Sequence, residues 1–192
     1  MQKREFLAKS AISLGAAVLM LSGCTTTPMS SSPKGAAKKQ KIDDSVNATL
    51  DRLYSTVSGS HELVNKARGV LVFPSVLAAG FVVGGEYGEG ALRVNGKTVD
   101  YYSTVTGSFG LQIGAQSKAI IFLFMTQEAL DKFMRSKGWT AGVDASVALI
   151  KVGANGMIDL NTATKPVSAI VMTNQGLMAN LSVEGTKVTK LE

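Results

Sequence analysis

Apolar positions recur every three to four residues from Ile42 to Ser58, at Ile42, Val46, Leu50, Leu53, Tyr54 and Val57. That spacing predicts an amphipathic helix, with Asp43 and Asp44 suited to its positive N-terminus and Gly59 to its end. The opposite face carries Asp44, Asn47, Asp51, Ser55 and Ser58. It lacks the Lys/Arg content of a membrane-surface helix, which favours packing against a core. A second, short helix is expected from His61 to Arg68, stopping at Gly69.

The period then becomes strand-like. Val70–Phe73 reads as a short buried strand closed by Pro74. Ala91–Val94, Asn95-Gly96 and Lys97–Val105 form the clearest hairpin, because Asn-Gly supplies the positive φ angles of a type I′ turn. A two-residue turn there sets Leu92 opposite Val99 and Gly90 opposite Tyr101, with Arg93, Thr98 and Asp100 on the other face. Lys118–Met125 is another buried strand. Thr126 can cap a helix running to Lys137, with Leu130, Phe133 and Met134 inward and Gly138 at its end. From Val167 to Leu191 strands are expected to turn near Asn174-Gln175-Gly176 and at Glu184-Gly185.

A loose Gly-apolar-x-apolar-small echo links Gly80–Gly84, Gly110–Gly114 and Gly176–Asn180, with a weaker copy at Gly142–Ser146. Glycine inside strands marks bulges, bends or close backbone approach. The fold class that follows is α+β: a curved, mostly antiparallel, Gly-rich β-sheet or barrel-like core, with N-terminal amphipathic helices and one mid-chain helix.

The N-terminus follows other rules. Lys3, Arg4 and Lys9 precede an apolar run, Ala11 to Leu21, that is too short to span a bilayer as a helix but suits a signal-peptide core. Leu21-Ser22-Gly23-Cys24 resembles the bacterial lipobox. The resemblance implies cleavage before Cys24 and acylation of that cysteine, and Thr25 in place of Asp resembles the outer-membrane sorting signal of enteric-type bacteria. Residues 1–23 are therefore expected to be a lipoprotein signal peptide, residues 24–41 an acylated cysteine with a flexible basic linker, and residues 42–192 the domain. The expected location is the outer membrane, lipid-anchored and facing either the periplasm or the exterior.

Charge and composition narrow the chemistry. The leader carries Lys3, Arg4 and Lys9 against Glu5, so the +6 of the whole chain falls to +4 without it. That mild excess permits attraction to anionic headgroups and does not call for nucleic acid, which export would put out of reach. Lys34, Lys38, Lys39 and Lys41 fall together with no intervening acid. They are either a solvated linker or an electrostatic contact with phospholipid. Cys24 is the only cysteine and His61 the only histidine, so an intramolecular disulfide and the usual zinc sites are excluded and no cofactor is expected. Gly96-Lys97-Thr98 imitates the end of a phosphate loop, but Ala91 stands where its first glycine belongs and a strand follows. Gly84–Gly90 reads as a bend or Gly-rich loop, its Glu86 and Glu89 unsuited to phosphate. Glu86, Glu89, Asp100, Asp144 and Asp159 are the carboxylates from which an acid pair would have to come. No catalytic residue is assigned.

Several motifs in order are similar to the SYLF domain: Val70–Val76, Ala79–Gly90, Gly110–Gln116, Phe122–Thr126, Gly142–Val147, and Gly176–Ala179 with Glu184-Gly185. The resemblance covers about residues 42–192 and implies lipid binding. Eukaryotic members bind phosphoinositides, partly through a basic segment, and Lys38, Lys39 and Lys41 sit where that segment would lie. Yeast relatives also bind actin, which a bacterial envelope lacks. The expected partners are membrane phospholipid and the acyl chains on Cys24. An envelope protein or peptidoglycan is the alternative, a hydrolase the more distant one. Whether lipid would enter a cavity or be met at the surface stays open.

Overall fold

The computed structural model describes residues 33–79, 83–109, 117–150, 157–158, 165–173, 176–177 and 182–192. Cys24 lies outside them, as do Gly80–Val82, Gly110–Gln116, Asp159 and most of the echo in residues 178–180. Residues 33–192 form one compact unit.

The first helix, α1, runs Pro33–Thr56. It begins well before Ile42, so the basic stretch expected as a flexible linker is helical from Pro33 onward. Ala, Lys and Gln are strong helix formers and proline is at home in a first turn, so the segment favours this extension as a whole, with Gly35 its one poor helix former. Ile42, Val46, Leu50, Leu53 and Val57 are buried along one stripe. Asp43 and Asp44 thus lie in mid-helix, not at the N-terminus. Gly59, at φ 83°, leads into α2, Ser60–Lys66. The buried Ser60 hydroxyl donates to the Leu53 and Val57 carbonyls, at 3.1 and 2.6 Å, and so closes the end of α1.

The strands are β1 Gly69–Ala79, β2 Val83–Val94, β3 Lys97–Phe109, β4 Ser117–Phe124, β5 Trp139–Thr140, β6 Val147–Leu149, β7 Val167–Thr173, β8 Gly176–Leu177 and β9 Lys187–Lys190. Among the described residues they form a single curled sheet in the order β5-β9-β3-β2-β1-β4-β7-β6, with β8 paired to β7. Every pairing is antiparallel except β6 with β7. The α+β class with a curved, mostly antiparallel sheet is what the structure contains.

Pro74 does not end β1. The ladders to β2 and β4 both shift register there, so Pro74 is one extra residue, bulged from a central strand. A bulge is where a residue without an N–H can sit inside a sheet. It also reverses the alternation: Leu71 and Phe73 share one core with Val76, and Val70 and Val72 belong to the other. The bulge presses onto β2, where a Cβ at Gly88 would lie 2.8 Å from the Ser75 carbonyl oxygen and one at Gly90 would collide with the Val72 carbonyl. The Gly84–Gly90 segment is accordingly part of a strand, not a loop.

The hairpin turn is as expected, with Asn95 at φ 52° and Gly96 at φ 76°. Its register is not. Arg93 pairs with Thr98 but Leu92 pairs with Asp100, leaving Val99 as a bulged residue, 46% exposed. Gly90 therefore faces Tyr102, not Tyr101. The shift turns Tyr102 into the core beside Phe133 and leaves Tyr101 on the α1 side.

Two cores flank the sheet. On one face α1 and α2 cover Val70, Val72, Ala91, Ile121, Leu123 and Ile170. On the other, α3 (Gln127–Arg135) and the curl of the sheet enclose an aromatic cluster. There Phe122 and Trp139 meet edge to face at 5.5 Å and Phe124 lies 4.7 Å from Phe133. The Thr126 side chain caps α3 by accepting from the Ala129 N–H at 3.2 Å. Leu130 and Phe133 point inward as expected, but Met134 is 48% exposed. In so short a helix only one narrow stripe reaches the sheet, and Met134 falls beside it.

Candidate functional site

The lysines predicted from sequence sit on the first turns of α1, ahead of its buried stripe, and the structure separates them. Lys38 and Lys41, three residues apart, share one side of the helix. They border an open groove of about 510 Å³ with Ile42, Pro74, Leu77, Tyr87 and Glu89. Lys39 turns the other way, its ammonium 5.4 Å from the centre of the Tyr101 ring. Lys34 lies in the first turn, and its side chain is outside the described residues.

The groove carries its own electrostatics. Lys38 Nζ lies 2.7 Å from Glu89 Oε1, and the Tyr87 hydroxyl donates to the same oxygen at 2.6 Å. Partial burial alone would push the Glu89 carboxyl up, but the hydrogen bonds from Lys38 and Tyr87 outweigh it and hold the group below its ordinary range. That hydrogen bond, with burial second, pushes the Tyr87 phenol up to about 12. Lys38 is thus partly neutralised within the protein, whereas Lys41 is exposed. Both ends of the Lys38–Glu89 bridge reach solvent, so it contributes little to stability.

Beyond the lysines, α1 is locked to the hairpin by one acid. Asp43 accepts from Thr98 Oγ1 at 2.7 Å and from the Tyr101 hydroxyl at 2.6 Å, with Arg93 NH2 3.9 Å away. Burial first, and this bond second, push Tyr101 up to about 12. Arg93 also donates to Asn47 at 2.7 Å. Arg93 and Thr98 were expected on a common face, and that was the available signal. Asp43 suits a helix terminus in a helix that begins at Ile42, and the start of α1 at Pro33 places it mid-helix against the hairpin instead.

The other described candidate acids and His61 are engaged locally. Glu86 is buried and lies 2.6 Å from Lys118. It points to the sheet face opposite Glu89, so these two acids cannot act on one substrate. Asp100 pairs with Lys190, and Asp144 accepts from the Thr140 N–H at 2.7 Å. His61 is exposed and meets Asn65 at 3.1 Å and the Tyr54 ring edge-on at 4.9 Å. A second pocket of about 340 Å³ lies between α1, α2 and the hairpin turn, where Asn47, Asp51, Arg68 and Arg93 are among its walls. Among the described residues no group of three acids, histidines or cysteines could hold a metal, and no helix is long and apolar enough to cross a membrane.

No curated protein matches the chain. The groove and its lysines, with the motifs at residues 70–90, precede the stretch for which a family match exists. That match is to the Ysc84 family model, described as a Las17-binding protein actin regulator; it covers residues 105–192, from within β3 through β9, and supports a SYLF domain there.

Proposed function

We propose that this chain is an exported lipoprotein, acylated on Cys24, whose domain binds anionic phospholipid and catalyses nothing. The observation that carries the reading is the placement of Lys38 and Lys41 on exposed turns of α1, beside an open groove whose wall includes Leu77, Tyr87 and Ile42. Ammonium groups next to apolar side chains suit a headgroup phosphate with the glycerol and upper acyl region beneath it. The lipobox-like Leu21-Ser22-Gly23-Cys24 and the SYLF match at 105–192 point the same way. The proposed location is the outer membrane, on its periplasmic or external face.

Binding at the surface is favoured over uptake into the interior, because the concave face of the sheet is filled by the aromatic cluster. A second reading, a module that binds another envelope protein, draws on the protein-binding description of the matched family.

Replacing Lys38, Lys39 and Lys41 by Gln tests the first reading. A lysine close to an anionic surface contributes about 1 kcal/mol, so the triple change should weaken vesicle binding by about 100-fold. Glutamine keeps the helix and avoids setting a new acid against Glu89. Unchanged affinity would show that these lysines do not meet lipid.

A further inference from the structure

Leu77, Tyr87 and Val105 form a cross-strand row on the α1 side of the sheet. Leu77 is the register partner of Tyr87, and Tyr87 that of Val105. They are 52%, 50% and 51% exposed, whereas Ala91, further along the same face of β2, is fully covered. The covering helix explains the contrast. The buried stripe of α1 starts at Ile42, and beyond it the sheet continues uncovered.

Charge surrounds the row on two sides. Lys38 and Lys41 border it across the groove, and Lys187, the exposed partner of Val105 on β9, extends it at the other end. The row two residues further along these strands is polar, with Ser75, Glu89 and Ser103 in register. In the opposite direction Gly85 pairs with Gly107 and offers no side chain to hold a flat surface away.

Resting on the phospholipid reading above, we infer that the domain docks on an anionic bilayer by this sheet face. Leu77, Tyr87 and Val105 enter the headgroup layer, and Lys38, Lys41 and Lys187 lie at phosphate level. Two arguments select a bilayer over a second copy of the chain. Among the described residues the charges bordering the row are Lys38, Lys41 and Lys187 against Glu89, a net positive set, so two such faces would repel each other. And if Cys24 is acylated, residues 25–32 span at most about 30 Å when fully extended, which keeps the start of α1, and with it this face, near the membrane. The apolar row then supplies attachment that salt does not screen, in addition to the lysine contribution that it does.

The test uses the unacylated domain, residues 25–192, which retains the whole compact unit and both cores. Without Cys24 it has no cysteine, so single Leu77→Cys, Val105→Cys and Val143→Cys variants can each carry one polarity-sensitive fluorophore. Val143 is 79% exposed and outside the row, and serves as the control. With phosphatidylglycerol vesicles the labels at 77 and 105 should shift to the blue and the label at 143 should not. The double variant Leu77→Asp, Val105→Asp should bind at least about tenfold more weakly, and Val143→Asp should match the parent. Thermal melts of the half-exposed substitutions should stay close to the parent, separating lost docking from lost folding. Full binding by the double variant without any shift at 77 would overturn this inference while leaving the lysine reading intact. A parent domain that ignores the vesicles would overturn both. A shift at 77 that grows with protein concentration in the absence of lipid would assign the row to a second copy and overturn it as well.

Discussion

Gly90→Ala should destabilise the domain by about 3 kcal/mol or more, near the upper end of what overpacking does. A Cβ at this position would overlap the Val72 carbonyl oxygen and stand 2.8 Å from Phe73 Cδ1. Neither neighbour can retreat. Val72 and Phe73 are fully buried, and the carbonyl is fixed by the bulge that accommodates Pro74 between two ladders. Gly88→Ala meets Ser75 O and Val76 Cγ2, each at 2.8 Å, and should cost somewhat less. Gly107→Ala, with nothing within 4 Å of its Cβ, should be close to neutral. Against a total stability of about 5–15 kcal/mol for a domain, the Gly90 variant would be marginal or unfolded. Urea midpoints of the three variants measure this, and equal midpoints for Gly90→Ala and Gly107→Ala would contradict the packing of the Pro74 bulge onto β2.

Lys118→Met should cost roughly 3–5 kcal/mol, because it strands the Glu86 carboxylate on the concave face of the sheet. The two side chains are only 13% and 9% exposed and lie 2.6 Å apart. Val76, Ile120 and the aromatic cluster share that face, and none of them can replace the lysine as a partner. The double variant Lys118→Met, Glu86→Leu should recover most of the loss, since a buried ion pair is often no better than well-packed apolar groups of similar size. The double-mutant cycle reads the coupling directly. If the double variant were as unstable as Lys118→Met alone, the damage would lie in packing and not in an unpaired charge.

Much of the fold is legible in the residues. The Asn95-Gly96 turn, the Thr126 cap, the buried strand from Lys118 and the stripe from Ile42 to Val57 are local signals, and each appears where its chemistry puts it. What stayed hidden depends on partners distant in sequence. Nothing around Pro74 announces that β2 offers Gly88 and Gly90 to receive a bulge. The Val99 bulge breaks an alternation that looked regular, and it decides whether Tyr101 or Tyr102 faces the core. The start of α1 is silent in the sequence because residues 33–41 carry no apolar stripe, and periodicity detects only helices with an apolar face.

The candidate site shows the same division. Lys38, Lys39 and Lys41 stand out as a cluster, but only the geometry reveals that Lys39 lies over Tyr101 and Lys38 is held by Glu89, leaving Lys41 exposed. The row Leu77, Tyr87 and Val105 could not be read ahead, because it requires the register of three strands and the limit of the helix that covers them. Asp43 illustrates the converse. An acid that suits a helix terminus in the sequence turns out to join three side chains of the hairpin to the middle of α1.

Co-sedimentation of the unacylated domain, residues 25–192, with phosphatidylglycerol and phosphatidylcholine vesicles at low and high salt tests the central claim most directly. The account predicts binding to the anionic vesicles that weakens as salt screens the lysines, and little binding to the neutral ones. Equal indifference to both vesicle types at low salt would contradict it, leaving the acyl chains as the only membrane attachment and a protein as the partner to seek.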